Sequence, residues 1–141
     1  MGTRYSLIAA FEIITAAGIV VFWLAFFSGA IIPENAPACY LAYEYAFPVA
    51  DALLAAGLFC SALLILKRTP IGRDLALVCA GALIFLGILD ISFNTLNGIY
   101  ALSTMDALTN GFVNLYCIVF GIIMILTQKG NLHQGNTAAG H

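Results

Sequence analysis

Four apolar runs, each about twenty residues or longer, restrict what this chain can become. They cover about 7–32, 47–66, 75–102 and 106–128, and each holds one acidic residue and no Lys, Arg or His. At about 1.5 Å per residue, a helical run of this length crosses the ~30 Å hydrocarbon layer of a bilayer. Lipid offers nothing to backbone N–H and C=O groups, so each run must satisfy them internally as a helix. A soluble surface needs roughly a quarter of its residues charged. Here 62% of residues are hydrophobic and 9% charged. The expected fold is an all-α membrane protein, with four transmembrane helices in an antiparallel bundle. Residues 1–128 form its single domain, and 129–141 are expected to be a flexible polar tail.

The basic residues orient the spans. Arg4, the Lys67-Arg68-Arg73 loop and Lys129 alternate with two connections that contain no Lys or Arg. Under the positive-inside rule this predicts a multi-pass protein with both termini in the cytoplasm. A net charge of -2 with five scattered basic residues excludes a nucleic-acid partner, leaving the lipid bilayer as the first one. The cysteines Cys39, Cys60, Cys79 and Cys117 form no C-x-x-C pair, and both histidines, His133 and His141, lie in the tail. The sequence therefore has no zinc or haem signature.

The polar residues inside the spans are the candidate site. Asp90, Asn94 and Asn97 fall within roughly 60° of one another on a helix and share a face. A carboxylate at mid-membrane costs about 2.5 to 3.5 kcal/mol on insertion scales, while each Leu, Ile, Phe or Val returns about 0.3 to 0.6. That face must therefore look away from lipid. Asp106, Asn110 and Asn114 recur every four residues on the fourth span, and Asp51 follows Glu44 by seven residues at the outer end of the second. The three stripes lie at the same level and are expected to converge on an outward-opening pocket lined by Glu44, Asp51, Asp90, Asn94, Asn97, Asn110 and Asn114. The close helix approach that would seal its lower half falls to Gly57, Gly81, Gly87 and Gly121.

Such a pocket is acidic and has no matching base, so its expected guests are a metal cation, a proton or an organic ammonium ion. Trp23, Phe22, Phe26, Phe27, Tyr43, Tyr45 and Tyr100 could face an amine. Glu12 stands apart in the inner half of the first span. It is expected to snorkel toward the cytoplasm, to pair with Arg73 or Lys67, or to serve with Asp90 as a station on a proton path. The leading functional reading is a protein that binds or transports a cation or cationic small molecule. A membrane enzyme acting on a lipid-like substrate by acid-base chemistry is a second reading, although no nucleophile has an evident adjacent base. In a third, the stripes face another copy of the chain or a partner membrane subunit.

Overall fold

The computed structural model describes residues 3–33 and 35–129. The expected polar tail, apart from Lys129, lies outside them. The described residues form five α-helices: α1 (Thr3–Phe27), α2 (Ala38–Glu44), α3 (Pro48–Leu66), α4 (Pro70–Leu96) and α5 (Thr104–Lys129), with a 3-10 turn at Ile99–Ala101. Four of them are long and apolar enough to cross a membrane: Thr3–Phe27, Pro48–Leu66, Pro70–Leu96 and Thr104–Gln128. Leu24, Leu53, Phe85 and Leu126 are exposed on their outer faces. In water such a surface would drive association, whereas against acyl chains it is the matched one.

Local chemistry sets the helix ends, and two differ from the spans expected above. α1 stops at Phe27 and not near 32, because Gly29 takes a left-handed conformation (φ 79°). Its N–H donates to the Phe26 carbonyl and that of Ala30 to the Ala25 carbonyl, the paired bonds of a Schellman cap. α4 begins at Pro70 and not at 75, because Thr69 is its N-cap and Pro70 its first residue. Thr69 Oγ1 accepts from the Gly72 N–H and donates to the Leu64 carbonyl. Only residues 67–69 then separate α3 from α4, with Arg68 at φ 58° closing the end of α3.

At its other end α4 stops at Leu96, not 102, because Gly98 (φ 70°) turns the chain into the 3-10 segment. α5 opens on a reciprocal cap in which Ser103 Oγ accepts from the Asp106 N–H and donates to its carboxylate. α3 starts at Pro48, and α2 is a separate short helix. The Glu44 carbonyl, which a continuous helix would have left unpartnered, accepts from the Phe47 N–H at 3.0 Å.

The long helices pack in chain order, each antiparallel to the next. Glu12 meets Ser61 and Trp23 meets Asp51 between α1 and α3. Glycines bring α4 and α5 together. A Cβ on Gly87 would lie 2.7 Å from the Asn114 carbonyl oxygen, and one on Gly121 2.7 Å from that of Ala80. A Cβ on Gly57 would lie 3.0 Å from Cys79 Sγ, but one on Gly81 would meet nothing within 4 Å, so Gly81 has no part in close packing.

Gly72 is the site sequence reading passed over. A Cβ there would sit 2.7 Å from the backbone of Leu64 and Ile65. One apolar cluster, centred on Leu58, Ala62, Ala76, Ala80, Leu83 and Met124, fills the interior. A second, built on Trp23, Phe26, Tyr40 and Ile99, lies at the end that carries α2. α1 and α5 touch only lightly, so the row of helices does not close tightly on itself.

Candidate functional site

Three carboxyl groups gather at the α2 end. Asp51, in the first turn of α3, is buried and accepts a hydrogen bond from Trp23 Nε1 at 2.9 Å. Asp90, in the last two turns of α4, accepts from the Tyr43 hydroxyl at 2.7 Å. Glu44 ends α2, and the charges of Asp51 and Asp90 both reach it. α2 is held over this group by side chains. Tyr43 stacks flat on Phe93 of α4 with ring centroids 3.7 Å apart, and Cys39 Sγ donates to Asn97 Oδ1 at 3.4 Å.

The expected site residues therefore divide. Glu44, Asp51 and Asp90 come together. Asn94 is 4% exposed one turn beyond Asp90, and its carboxamide makes no hydrogen bond among the described residues. Asn114 is buried and donates to the Tyr100 hydroxyl. Asn97 is exposed, and its amide also donates to the Phe93 carbonyl. Asn110 turns back to its own helix, donating to the Asp106 carbonyl. Glu12 neither snorkels nor pairs with Arg73 or Lys67. It is fully buried and accepts from Ser61 Oγ at 2.8 Å. Leu58 and Leu83, both fully buried, belong to the apolar cluster that fills the interior.

The sequence named Trp23 and Tyr43 only as aromatic faces. Both are also hydrogen-bond donors to carboxylates. No pattern within one span signals this, because each bond joins two helices whose relative register local sequence does not specify.

Electrostatics at this end are one-sided. No ion pair occurs among the described residues, so no base offsets the three acids. Burial first, then the Asp90 charge, lifts the Glu44 carboxyl from 4.5 to about 7, with Asp51 adding to the rise and the Tyr40 hydroxyl opposing it. Tyr43 is pushed above the ordinary phenol range by burial and by its bond to Asp90, so it remains a neutral donor. Tyr40 is raised by burial and by Glu44.

Between pH 4.5 and 7 folded Glu44 keeps a proton that the unfolded chain has released. The folded state then binds more protons, and its stability falls as pH rises. Glu44's contribution is complete below about 4.5 and lost as pH passes about 7. Thermal unfolding in detergent at pH 5, 6, 7 and 8 is expected to show a steeper decline for the wild type than for Glu44→Gln. Parallel curves would remove Glu44 as the cause.

A groove of about 310 Å³ lies elsewhere, between α1 and α5. Leu7, Phe11, Phe112, Leu115, Tyr116 and Phe120 are among its lining residues, and none of the acids takes part. The Thr15 and Tyr116 hydroxyls cross this seam at 2.6 Å.

No protein-family model matches the chain, and no curated protein or solved structure matches it significantly.

Proposed function

We propose that this multi-pass membrane protein binds an organic cation at the α2 end, through Asp51, Asp90 and Glu44 with Tyr43 and Trp23 around them. The observation that carries the reading is a cluster of three carboxyl groups with no ion-pair partner among the described residues, two of them held by aromatic donors. Desolvated acids are costly unless something positive joins them. Asn94, buried and unpartnered, adds a further polar group to the same face.

Among the described residues no three His, Cys, Asp or Glu side chains stand close enough to hold a metal ion. A hard divalent cation wants six or more oxygens, whereas an ammonium group needs a few acceptors and aromatic faces. With both termini in the cytoplasm, as the basic residues predict, this end would face the outside. Transport would add release on the other side to the binding proposed here.

Trp23 is the chain's only tryptophan, and its indole donates directly to Asp51. Its fluorescence therefore reports on the site. We expect titration with tetramethylammonium and longer primary amines to change the emission and to raise the melting temperature. A ligand at 100 times its Kd stabilises by about 2.7 kcal/mol. Asp51→Asn and Asp90→Asn should each abolish both responses while still inserting. Undiminished responses in both variants, or a flat response in the wild type, would defeat the reading.

The lightly packed α1–α5 seam favours a second reading, in which an apolar helix of a partner subunit fills the groove. Co-purification of one partner at fixed stoichiometry from native membranes, lost on Phe112→Ala with Phe11→Ala, would support it.

A further inference from the structure

Far from the acid cluster, α1, α3 and α4 meet at a single polar point. Glu12 lies nine residues into α1, about 14 Å along its axis, and its side chain is fully buried. Ser61, also fully buried, places its Oγ 2.8 Å from Glu12 Oε1 and 3.1 Å from the Gly72 carbonyl oxygen. Glu12 Oε2 has no hydrogen-bond partner. α3 and α4 approach closely here, since any Cβ on Gly72 would strike the α3 backbone.

The groups around Glu12 supply no positive charge. From α4 the Cys79 thiol lies within electrostatic reach, and from α3 the facing group is the Ser61 hydroxyl. On α1 itself Thr15 is engaged with Tyr116 of α5. Arg4, Lys67 and Arg68 are exposed, Arg73 is half-buried, and none forms an ion pair with Glu12. An ionised carboxylate so placed would carry a large uncompensated desolvation penalty. A metal ion would find at most four protein oxygens, namely both of Glu12, that of Ser61 and that of Gly72, below the six or more that hard divalent cations take. A proton needs only one of them and one acceptor.

We propose that Glu12, Ser61 and the Gly72 carbonyl form a proton-binding site inside the membrane, separate from the organic-cation site at the α2 end. The count of hydrogens fixes its arrangement. With the proton on Glu12 Oε1, the carboxyl donates to Ser61 Oγ and the Ser61 hydroxyl donates to the Gly72 carbonyl. One directed chain then runs from α1 through α3 to α4. Without that proton Ser61 has one hydrogen for two acceptors, and one of its two links is lost. Occupancy by the proton thus ties three helices together. Gly72 is three residues past the Thr69 cap, so exchange takes place with water at the α3–α4 turn and not through the apolar cluster toward Asp90.

Infrared spectroscopy of the full-length protein in liposomes at neutral pH tests this directly. The wild type should show a neutral-carboxyl C=O band that Glu12→Gln lacks. Ser61→Ala keeps the acid but removes its acceptor, so the same band should move to higher frequency. A hydrophobic carbodiimide, which attacks protonated carboxyls, should label Glu12 in both the wild type and Ser61→Ala. Identical wild-type and Glu12→Gln spectra would overturn the proposal, as would absence of carbodiimide label at Glu12. Loss of the band on adding Na⁺ at constant pH would assign the site to a metal cation and also overturn it.

Discussion

Gly87→Val is expected to lower the melting temperature of the detergent-solubilised protein by roughly 10 °C, while Gly81→Val leaves it nearly unchanged. Both glycines lie in the same helix, six residues apart. Space decides the outcome. A Cβ at Gly87 would stand 2.7 Å from the Asn114 carbonyl oxygen, which cannot move without shifting α5, and 2.8 Å from Ile118 Cγ1, which would have to change rotamer. At Gly81 it would meet nothing within 4 Å. Overpacking of this kind costs about 1 to 3 kcal/mol, and a chain this size shifts by about 4 °C per kcal/mol. Replacing Gly in a helix returns at most about 1 kcal/mol of propensity, which only Gly81→Val retains in full. Equal shifts in the two variants would show that propensity and not contact controls the result.

Trp23→Ala should be the most destabilising single change at the α2 end. The indole is 8% exposed and packs edge-on against Phe22 and Phe26, with centroids 5.3 and 5.2 Å away. Truncating a buried Trp costs about 3 to 5 kcal/mol, of which the cavity is a large part. Trp23→Phe separates the hydrogen bond from the packing. It keeps a ring in place but leaves Asp51 buried without its indole donor, a loss of about 1 to 3 kcal/mol. Trp23→Phe combined with Asp51→Leu removes both partners and should recover most of that loss. Denaturant unfolding of the two single variants and the double variant gives the coupling, expected to be on the order of 1 kcal/mol or more. Strict additivity would mean that the Trp23–Asp51 bond contributes nothing net.

The four spans were legible because lipid enforces a simple rule of length and polarity, and the helices fall close to the runs that satisfy it. Their ends were less so. The Thr69-Pro70 cap lies outside the apolar run, which Arg73 and Asp74 cut short, and the Gly98 stop lies inside one, since Ile99 continues the apolar pattern beyond it. In the candidate site, helical period put Asp90, Asn94 and Asn97 on one face; Asn94 is buried there and Asp90 half-buried, whereas Asn97 is exposed.

Period could not separate Asn110 from Asn114. Both lie on one stripe, yet Asn110 is satisfied by its own backbone and Asn114 by Tyr100. Nor could it find Ser61 for Glu12. These two residues are 49 positions apart, and their meeting depends on how far α1 slides along α3. That is a property of packing, to which Ala9, Leu58 and Ala62 contribute as much as the polar pair.

The light contact between α1 and α5 also bears on how small molecules would arrive. A row of helices whose first and last members share one side-chain hydrogen bond, Thr15 to Tyr116, and one ring contact, Phe11 to Phe120, behaves like a loosely fastened cuff. Breaking one such bond costs about 1 kcal/mol, within reach of thermal motion at ordinary temperature. An amphiphilic amine dissolved in the bilayer could part the edge from the side and never pass through bulk water. Its partitioning into lipid, more than its concentration outside the cell, would then set how often the interior is sampled.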